Sequence, residues 1–461
     1  MQPCVLILFL GKLSASTYIY SELTVLRLIH FSDIHLRSPY CDNPETDDNI
    51  HIRDRVHKDI TKLIKVDGKK VDALLITGDI AFAGKGSEYN AARTWLDELQ
   101  STLELPNDRI LIVPGNHDVD RNAADEYLSK AIRERIESKS TSWEREQAIQ
   151  EALRSTHADN AILAPMKNYI EFSSNYGCEI SAIRPFWTQR LDLSELVSIE
   201  FRGITTPLFS NKEDRKGSLV LGKKQFNFRN LPGILNVSLM HHPCDWLIDS
   251  DEFEDLLTNN VHIQLFGHKH RARWSNTDDV LTIHSISLHP ERDEPGYEPG
   301  YNIIDISEKQ VSEDECTVNV KVVVRNLQTS PQIFTSKIFP GGRSYFTKEI
   351  ALTINHTPIL GTSESTHTLE ENKTIECQSA TNILDKVSIA PTPTKDIKQA
   401  SRVFSGLDRS HRDQILIDCD ILEQHELTKP DVEKQQIAFQ RAIEQGKQDL
   451  LHDTIMTKGK A

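Results

Sequence analysis

The 461-residue sequence lacks the features that would assign it quickly to a secreted, membrane or nucleic-acid-binding class. It has seven cysteines (Cys4, Cys41, Cys178, Cys244, Cys316, Cys377 and Cys419), odd in number, widely scattered and nowhere in a Cys-x-x-Cys pair. That excludes a thiolate zinc knuckle and argues for reduced thiols in a cytoplasmic protein rather than a disulfide framework. Long apolar runs are also missing. The N-terminal Val5–Leu10 run is too short for a membrane span, and no basic residue precedes it, so residues 1–23 read as an N-terminal extension. Positive charge is scarce, with 53 Lys and Arg against 68 Asp and Glu, a formal net charge of -15. Such a balance makes a nucleic-acid partner unlikely to be held by a broad electrostatic grip, and it disfavours anionic lipid equally.

What the sequence does contain is an alternation of short apolar runs with helical patterns from Thr24 to about Ser307. The runs VLRLIHFSD, ALLITGD, ILIVPGNHD, ILNVSLMHHP, VHIQLFGHKH, VLTIHSIS and YNIIDIS read as strands. Between them Ile52, Val56, Ile60, Leu63 and Ile64 recur at helical spacing, as do Tyr89, Ala92, Trp95, Leu96, Leu99 and Leu103, which predicts core-facing helices. An α/β domain is therefore expected over 24–350, closed by antiparallel strands through the alternating Val318, Val320, Val322 and Val324. A charged, helix-favouring insert at 120–187 interrupts it, either as a surface excursion or as a cap. Residues 351–398, rich in Thr, Ser, Glu and Asn, read as a linker. Residues 399–461 read as a small helical module for a protein partner.

Five apolar runs end in metal-binding residue types: Asp33 and His35; Asp79; Asn116, His117 and Asp118; His241 and His242; His268 and His270. Ligands placed where strands stop converge at one sheet edge. Carboxylate, amide oxygen and imidazole without thiolate suit divalent or trivalent manganese, iron or zinc. A lone Asp at a strand end can give one oxygen to each of two ions, and Asp79 is the choice for that bridge. In the His-His-Pro pair, His241 is preferred to His242 because it directly follows the apolar run.

The ordered set Asp-x-His, Gly-Asp, Gly-Asn-His-Asp, His and Gly-His-x-His resembles the calcineurin-like metallophosphoesterase superfamily over roughly residues 24–310. The wording HFSDIHL, TGDIAFAGKGSEY, VPGNHDVDR and HHPCDWL resembles most its bacterial cyclic-nucleotide-phosphodiesterase-like branch. The resemblance implies a β-sandwich of two mixed sheets flanked by helices. It implies one metal on Asp33, His35, Asp79 and His270, and a second on Asp79, Asn116, His241 and His268. It also implies His117 as the catalytic acid in a hydrolysis by a hydroxide activated between the two metals, worth about 10²- to 10⁴-fold for such a residue. Asp118 would either orient His117 or cap the segment after it. The expected activity is that of a phosphodiesterase on a cyclic nucleotide or another small phosphodiester. The alternatives are a nuclease, which the acidic balance disfavours, and a signalling or adaptor protein that uses its helical C-terminus. Arg37 and Arg121 are candidate phosphate contacts, and Cys244 and Trp246 candidate pocket walls. His30, His262, His284 and His289 read as packed or surface residues.

Overall fold

The computed structural model describes residues 24–277, 280–290, 298–312, 314–339 and 341–354, scattered positions between 404 and 447, and the helix Gln448–Lys458. The predicted extension 1–23 lies outside these residues, as do most of the predicted linker and much of the predicted module 399–461.

In chain order the strands are β1 (Val25–Phe31), β2 (Ala73–Thr77), β3 (Ile110–Val113), β4 (Phe186–Asp192), β5 (Ser198–Ile204), β6 (Ile234–Met240), β7 (Ile263–Phe266), β8 (Arg273–Asn276), β9 (Leu281–His284), β10 (Gly300–Val311), β11 (Glu315–Leu327), β12 (Phe334–Ser336) and β13 (Phe346–Thr353). They form two mixed sheets. One runs β12-β11-β10-β1-β2-β3 with β13 also on β11, and the other runs β4-β5-β6-β7-β9-β8. Strands β1, β2 and β3 are parallel, as are β5, β6, β7 and β9. The long hairpin β10–β11 is antiparallel, which is why β11 alternates buried Val318, Val320 and Val322 with half-buried polar residues. By contrast β2, β3, β6 and β7 are buried at every position, the pattern of strands covered on both faces.

One continuous apolar cluster joins side chains of both sheets, including Leu74 and Ile76 with Leu235 and Val237. Helices α1 (Ile50–Asp67) and α2 (Gly86–Leu103) bury the apolar positions expected from their spacing, among them Ile52, Val56, Ile60, Tyr89, Trp95 and Leu99. The stretch read as an insert holds α3 (Arg121–Ala124), α4 (Tyr127–Glu137), α5 (Ser142–Arg154) and α6 (Lys167–Ser174). Its last two residues differ from expectation. Phe186 and Trp187 begin β4, and the Trp187 indole N–H donates to the Ile112 carbonyl at 2.7 Å. Residues 351–353, read with the linker, likewise complete β13. Strand pairing with β11 fixes them where polar composition alone suggested a loop.

The five described cysteines carry no disulfide, and among the described residues no helix is long and apolar enough to cross a membrane. In the C-terminal unit, Phe404, Ile415, Leu416, Cys419, Ile421, Ala442, Leu451 and Ile455 form an apolar cluster of their own, the last two from α7 (Gln448–Lys458).

Candidate metal centre

Each predicted donor lies just past the end of a buried strand: Asp33 and His35 after β1, Asp79 after β2, Asn116 and His117 after β3, His241 and His242 after β6, His268 and His270 after β7. Because these strands are parallel within their sheets, their C-terminal ends share an edge, and the turns that leave them carry the donors.

The backbone at this edge is unusual. Six non-glycine residues among those described have positive φ, and five are motif residues: Asp33 (55°), His35 (50°), Asp79 (53°), His268 (66°) and His270 (53°). Left-handed backbone at a residue with a side chain costs on the order of 1 kcal/mol or more and persists where the surroundings enforce it. Here it folds consecutive residues so that alternate donors point the same way. The motif glycines serve close approach. A Cβ on Gly115 would lie 2.1 Å from Asp79 Oδ1, and one on Gly78 would lie 2.5 Å from His241 Nδ1.

The donors meet. His270 Nε2 lies 3.2 Å from Asp33 Oδ1, and His35 Nε2 lies 3.9 Å from the same oxygen and 3.8 Å from Asp79 Oδ2. On the other side of Asp79, His241 Nε2 is 3.2 Å from Oδ2 and 3.3 Å from His268 Nδ1. Asp79 thus stands between the Asp33/His35/His270 group and the His241/His268 group. Asn116 Oδ1 is 3.0 Å from His242 Nε2, and His242 joins His241 and His268 in one compact group. Both histidines of the pair are therefore buried at the site. His241 reaches Asp79 while His242 reaches Asn116. The sequence left a choice between the two with a preference for His241, and the turn at the strand end sends both rings inward.

Backbone carbonyls set several ring orientations. His241 Nδ1 donates to the Thr77 carbonyl at 2.7 Å, which directs Nε2 at Asp79. His117 Nδ1 donates to the Phe82 carbonyl at 2.7 Å, and its backbone N–H donates to Asp79 Oδ1 at 2.8 Å. Asp118 accordingly does not orient His117. Its carboxylate accepts from the backbone N–H of Gly115 (2.8 Å), Ala81 (2.9 Å) and Ile80 (3.3 Å) and from the Tyr89 hydroxyl (2.9 Å), tying the β2 and β3 turns together. Trp246 packs edge-on against His268 with ring centroids 4.1 Å apart and also packs against the apolar cluster in which Cys244 is buried. Arg37 lies with its guanidinium 3.6 Å from the Phe82 ring centroid.

Burial and charge pull these groups apart. Burial opposes charge on His241, but the Asp79 and Asp33 carboxylates outweigh it and push the imidazole up to about 9. Burial instead dominates at His35 and His268, which drop to about 4 and about 3. Against the burial cost, His270 and His241 hold Asp33 down to about 2, and His241 and His35 hold Asp79 well below the carboxylate range. Among the described residues, the buried atoms Asp33 Oδ1, His35 Nδ1 and His35 Nε2 have no hydrogen-bond partner. Buried orphans of this kind are rare in folded proteins, and carboxylate oxygens gathered with imidazole nitrogens are the donor set of a hard-to-borderline cation.

The family model described as calcineurin-like phosphoesterase matches residues 26–272. The chain belongs to the calcineurin-like phosphoesterases. The match covers every donor named above. This calcineurin-like phosphoesterase is similar to the metallophosphoesterase-like protein YydB of Bacillus subtilis (strain 168), with 23% identity over 266 residues, 55% of this chain and 50% of YydB. The chain thus spans about half the length of the curated relative it matches. Among solved structures it is similar to GAP50 of Plasmodium, with 12% identity and a TM-score of 0.36, covering 72% of this chain and 91% of that one. It is also similar to wild-type Vps29 of Entamoeba histolytica complexed with zinc, with 11% identity and a TM-score of 0.26, covering 71% of this chain and 99% of that one.

Proposed function

We propose that this calcineurin-like phosphoesterase hydrolyses small phosphodiesters with two metal ions, one on Asp33, His35, Asp79 and His270 and the other on Asp79, Asn116, His241 and His268. The observation that carries this reading is Asp79 Oδ2 reached by an imidazole of each group, His35 at 3.8 Å and His241 at 3.2 Å, with both buried nitrogens of His35 lacking a hydrogen bond among the described residues. When bound, the ions supply a nucleophile from water near neutral pH and offset charge on the phosphoryl oxygens.

The chain's own residues do the rest. The Phe82 carbonyl holds one nitrogen of His117, so the ring presents its other nitrogen to the leaving oxygen and can protonate it. His242, donating from Nδ1 or accepting there at Thr206 Oγ1 (2.9 Å), fixes the Asn116 amide. Asp118 keeps the two turns that carry Asp79 and Asn116 in register. A cyclic nucleotide is one substrate of the proposed class, and manganese, iron and zinc all suit the donors. The separate apolar cluster around Phe404 and Ile455 supports reading 399–461 as a module of its own with a protein partner.

The test is turnover of bis-p-nitrophenyl phosphate by protein loaded with manganese, against p-nitrophenyl phosphate as the monoester. Diester turnover that disappears on chelation is expected. No turnover of either ester, with manganese bound, overturns the reading.

A further inference from the structure

Asp118 is spent on tying the β2 and β3 turns together, yet a different carboxylate stands behind His117. Glu88 lies in the first turn of α2, where an acidic side chain commonly accepts one N–H, that of the residue before the helix. Its carboxylate does this for Lys85 at 3.1 Å. But Glu88 is fully buried and accepts three more backbone N–H groups, from Ala83 at 2.9 Å, Phe82 at 3.3 Å and Ser38 at 3.1 Å. A helix cap needs none of these.

The Ala83 N–H belongs to the same peptide unit as the Phe82 carbonyl, which accepts from His117 Nδ1 at 2.7 Å. A trans peptide unit is planar, so its N–H and C=O point in opposite directions and turn together. Glu88 therefore grips one end of a plane whose other end holds the imidazole. Rotating that plane would break both bonds. The bond to Glu88 also polarises the peptide and strengthens its carbonyl as an acceptor. The Phe82 N–H, by contrast, is shared with the Leu36 carbonyl at 3.0 Å and depends less on Glu88. A second path runs through Ser38. Its neighbour Arg37 lays its guanidinium on the Phe82 ring, and that ring abuts the His117 ring with centroids 4.9 Å apart.

We propose that Glu88 is a positioning residue for the acid step, holding the Phe82–Ala83 peptide so that His117 keeps its other nitrogen on the leaving oxygen. This role deepens the hydrolase reading and rests on it.

Two variants separate the role from helix capping. Glu88→Gln keeps the length and one oxygen for the Ala83 N–H but loses the charge. Glu88→Asp keeps the charge at the helix N-terminus but draws its oxygens back by one methylene. The first readout is exchange of the His117 Nδ1 proton with water, followed by NMR in the metal-free full chain labelled with nitrogen-15 at histidine, His117→Asn serving to assign the signal. Wild type should show a protected proton. Glu88→Asp should speed its exchange about tenfold, the worth of one well-made hydrogen bond, while Glu88→Gln stays within about threefold of wild type. A role confined to charge at the helix end gives the reverse order. The second readout is the ratio of kcat for diphenyl phosphate to kcat for bis-p-nitrophenyl phosphate in manganese-loaded protein. It should fall in the same order, because the more basic phenolate depends more on the acid. Loss of folded protein lowers both turnovers alike and leaves the ratio unmoved. An unprotected His117 Nδ1 proton in wild type overturns the proposal, and this arm needs no variant to fold. Exchange in Glu88→Asp no faster than in Glu88→Gln overturns it too, as does a ratio that does not follow the exchange. The ring measurement uses neither metal nor substrate, so absent turnover sinks only the hydrolase reading, and the wrong order with turnover intact sinks only this one.

Discussion

Two buried polar clusters in this phosphoesterase have similar chemistry and opposite logic. Under the hairpin β10–β11, Asp59 on α1 accepts a bidentate pair from Arg325 at 2.9 and 2.6 Å and the Tyr301 hydroxyl at 2.6 Å. The remaining Arg325 N–H groups go to Ser336 Oγ at 2.9 Å and the Phe334 carbonyl at 2.8 Å. At the strand-end cluster, Asp33 and Asp79 are as deeply buried, yet Asp33 Oδ1 and both His35 nitrogens have no hydrogen bond among the described residues. A satisfied cluster fastens α1 to the sheet. The unsatisfied one, held by left-handed backbone and close glycines, keeps donors that could hold a cation. Structural polar groups find protein partners, while functional ones keep capacity in reserve.

The largest expected contrast lies between Asp79→Asn and Asp59→Ala. Asp79→Asn should cut diester turnover by roughly 10³-fold or more, since it removes the oxygen charge shared by both sites. It should also abolish the rise in melting temperature that manganese gives, while moving the metal-free melting temperature far less than Asp59→Ala does. Asp59→Ala strands a buried guanidinium and should cost about 3–5 kcal/mol of stability, read by denaturant titration, with turnover per folded molecule nearly kept. If Asp79→Asn unfolds the chain and Asp59→Ala silences it, the division of labour drawn above is wrong.

His117→Asn sharpens the same contrast inside the site. It should lower kcat by about 10² or more and leave manganese affinity within about threefold, because the proposed function gives His117 to the leaving oxygen and not to the ions. A matching loss of metal affinity would place His117 among the ligands instead, as its proximity to His35 and Asp79 allows.

The cluster of donors at the strand ends was legible in sequence because each buried run ends in an uncommon donor type, and the fold because strand and helix periods alternate so clearly. What escaped were contacts between turns remote in the chain. Phe82 holds His117 across 35 positions and Asp118 holds Ala81 across 37. A backbone carbonyl or amide leaves no residue-type trace, so the sequence left Asp118 as either the orienter of His117 or a cap of the next segment. Positive φ at Asp33 and His35 was hidden for a related reason: glycine advertises such backbone, whereas aspartate and histidine adopt it under tertiary constraint. The start of β4 at Phe186 was concealed because strand pairing, not composition, fixes where a polar stretch joins a sheet.

The smallest effect separates the clusters by pH. His241 is raised from 6.5 to about 9 by Asp79 and Asp33 against the pull of burial. Its protonated form therefore stabilises the metal-free fold fully below about pH 6.5 and loses that contribution as pH rises through about 9. A metal takes only the neutral imidazole, so manganese must displace this proton, and its apparent affinity should rise by up to tenfold per pH unit across the same window. The Asp33 and Asp79 carboxylates, both held low, stay ionised throughout, while Asp118, pushed up to about 7 by burial and by Asp79, loses its proton in the lower part of the window, so the slope above about pH 8 belongs to His241. Melting curves from pH 6.5 to 9 should show the metal-free protein weakening while the gain from manganese grows. Asp59 and Arg325 touch none of the strand-end donors, so Asp59→Ala should shift both curves down together without changing their separation. A manganese gain that is flat with pH would mean that His241 is not displaced by the ion and does not belong to the ligand set.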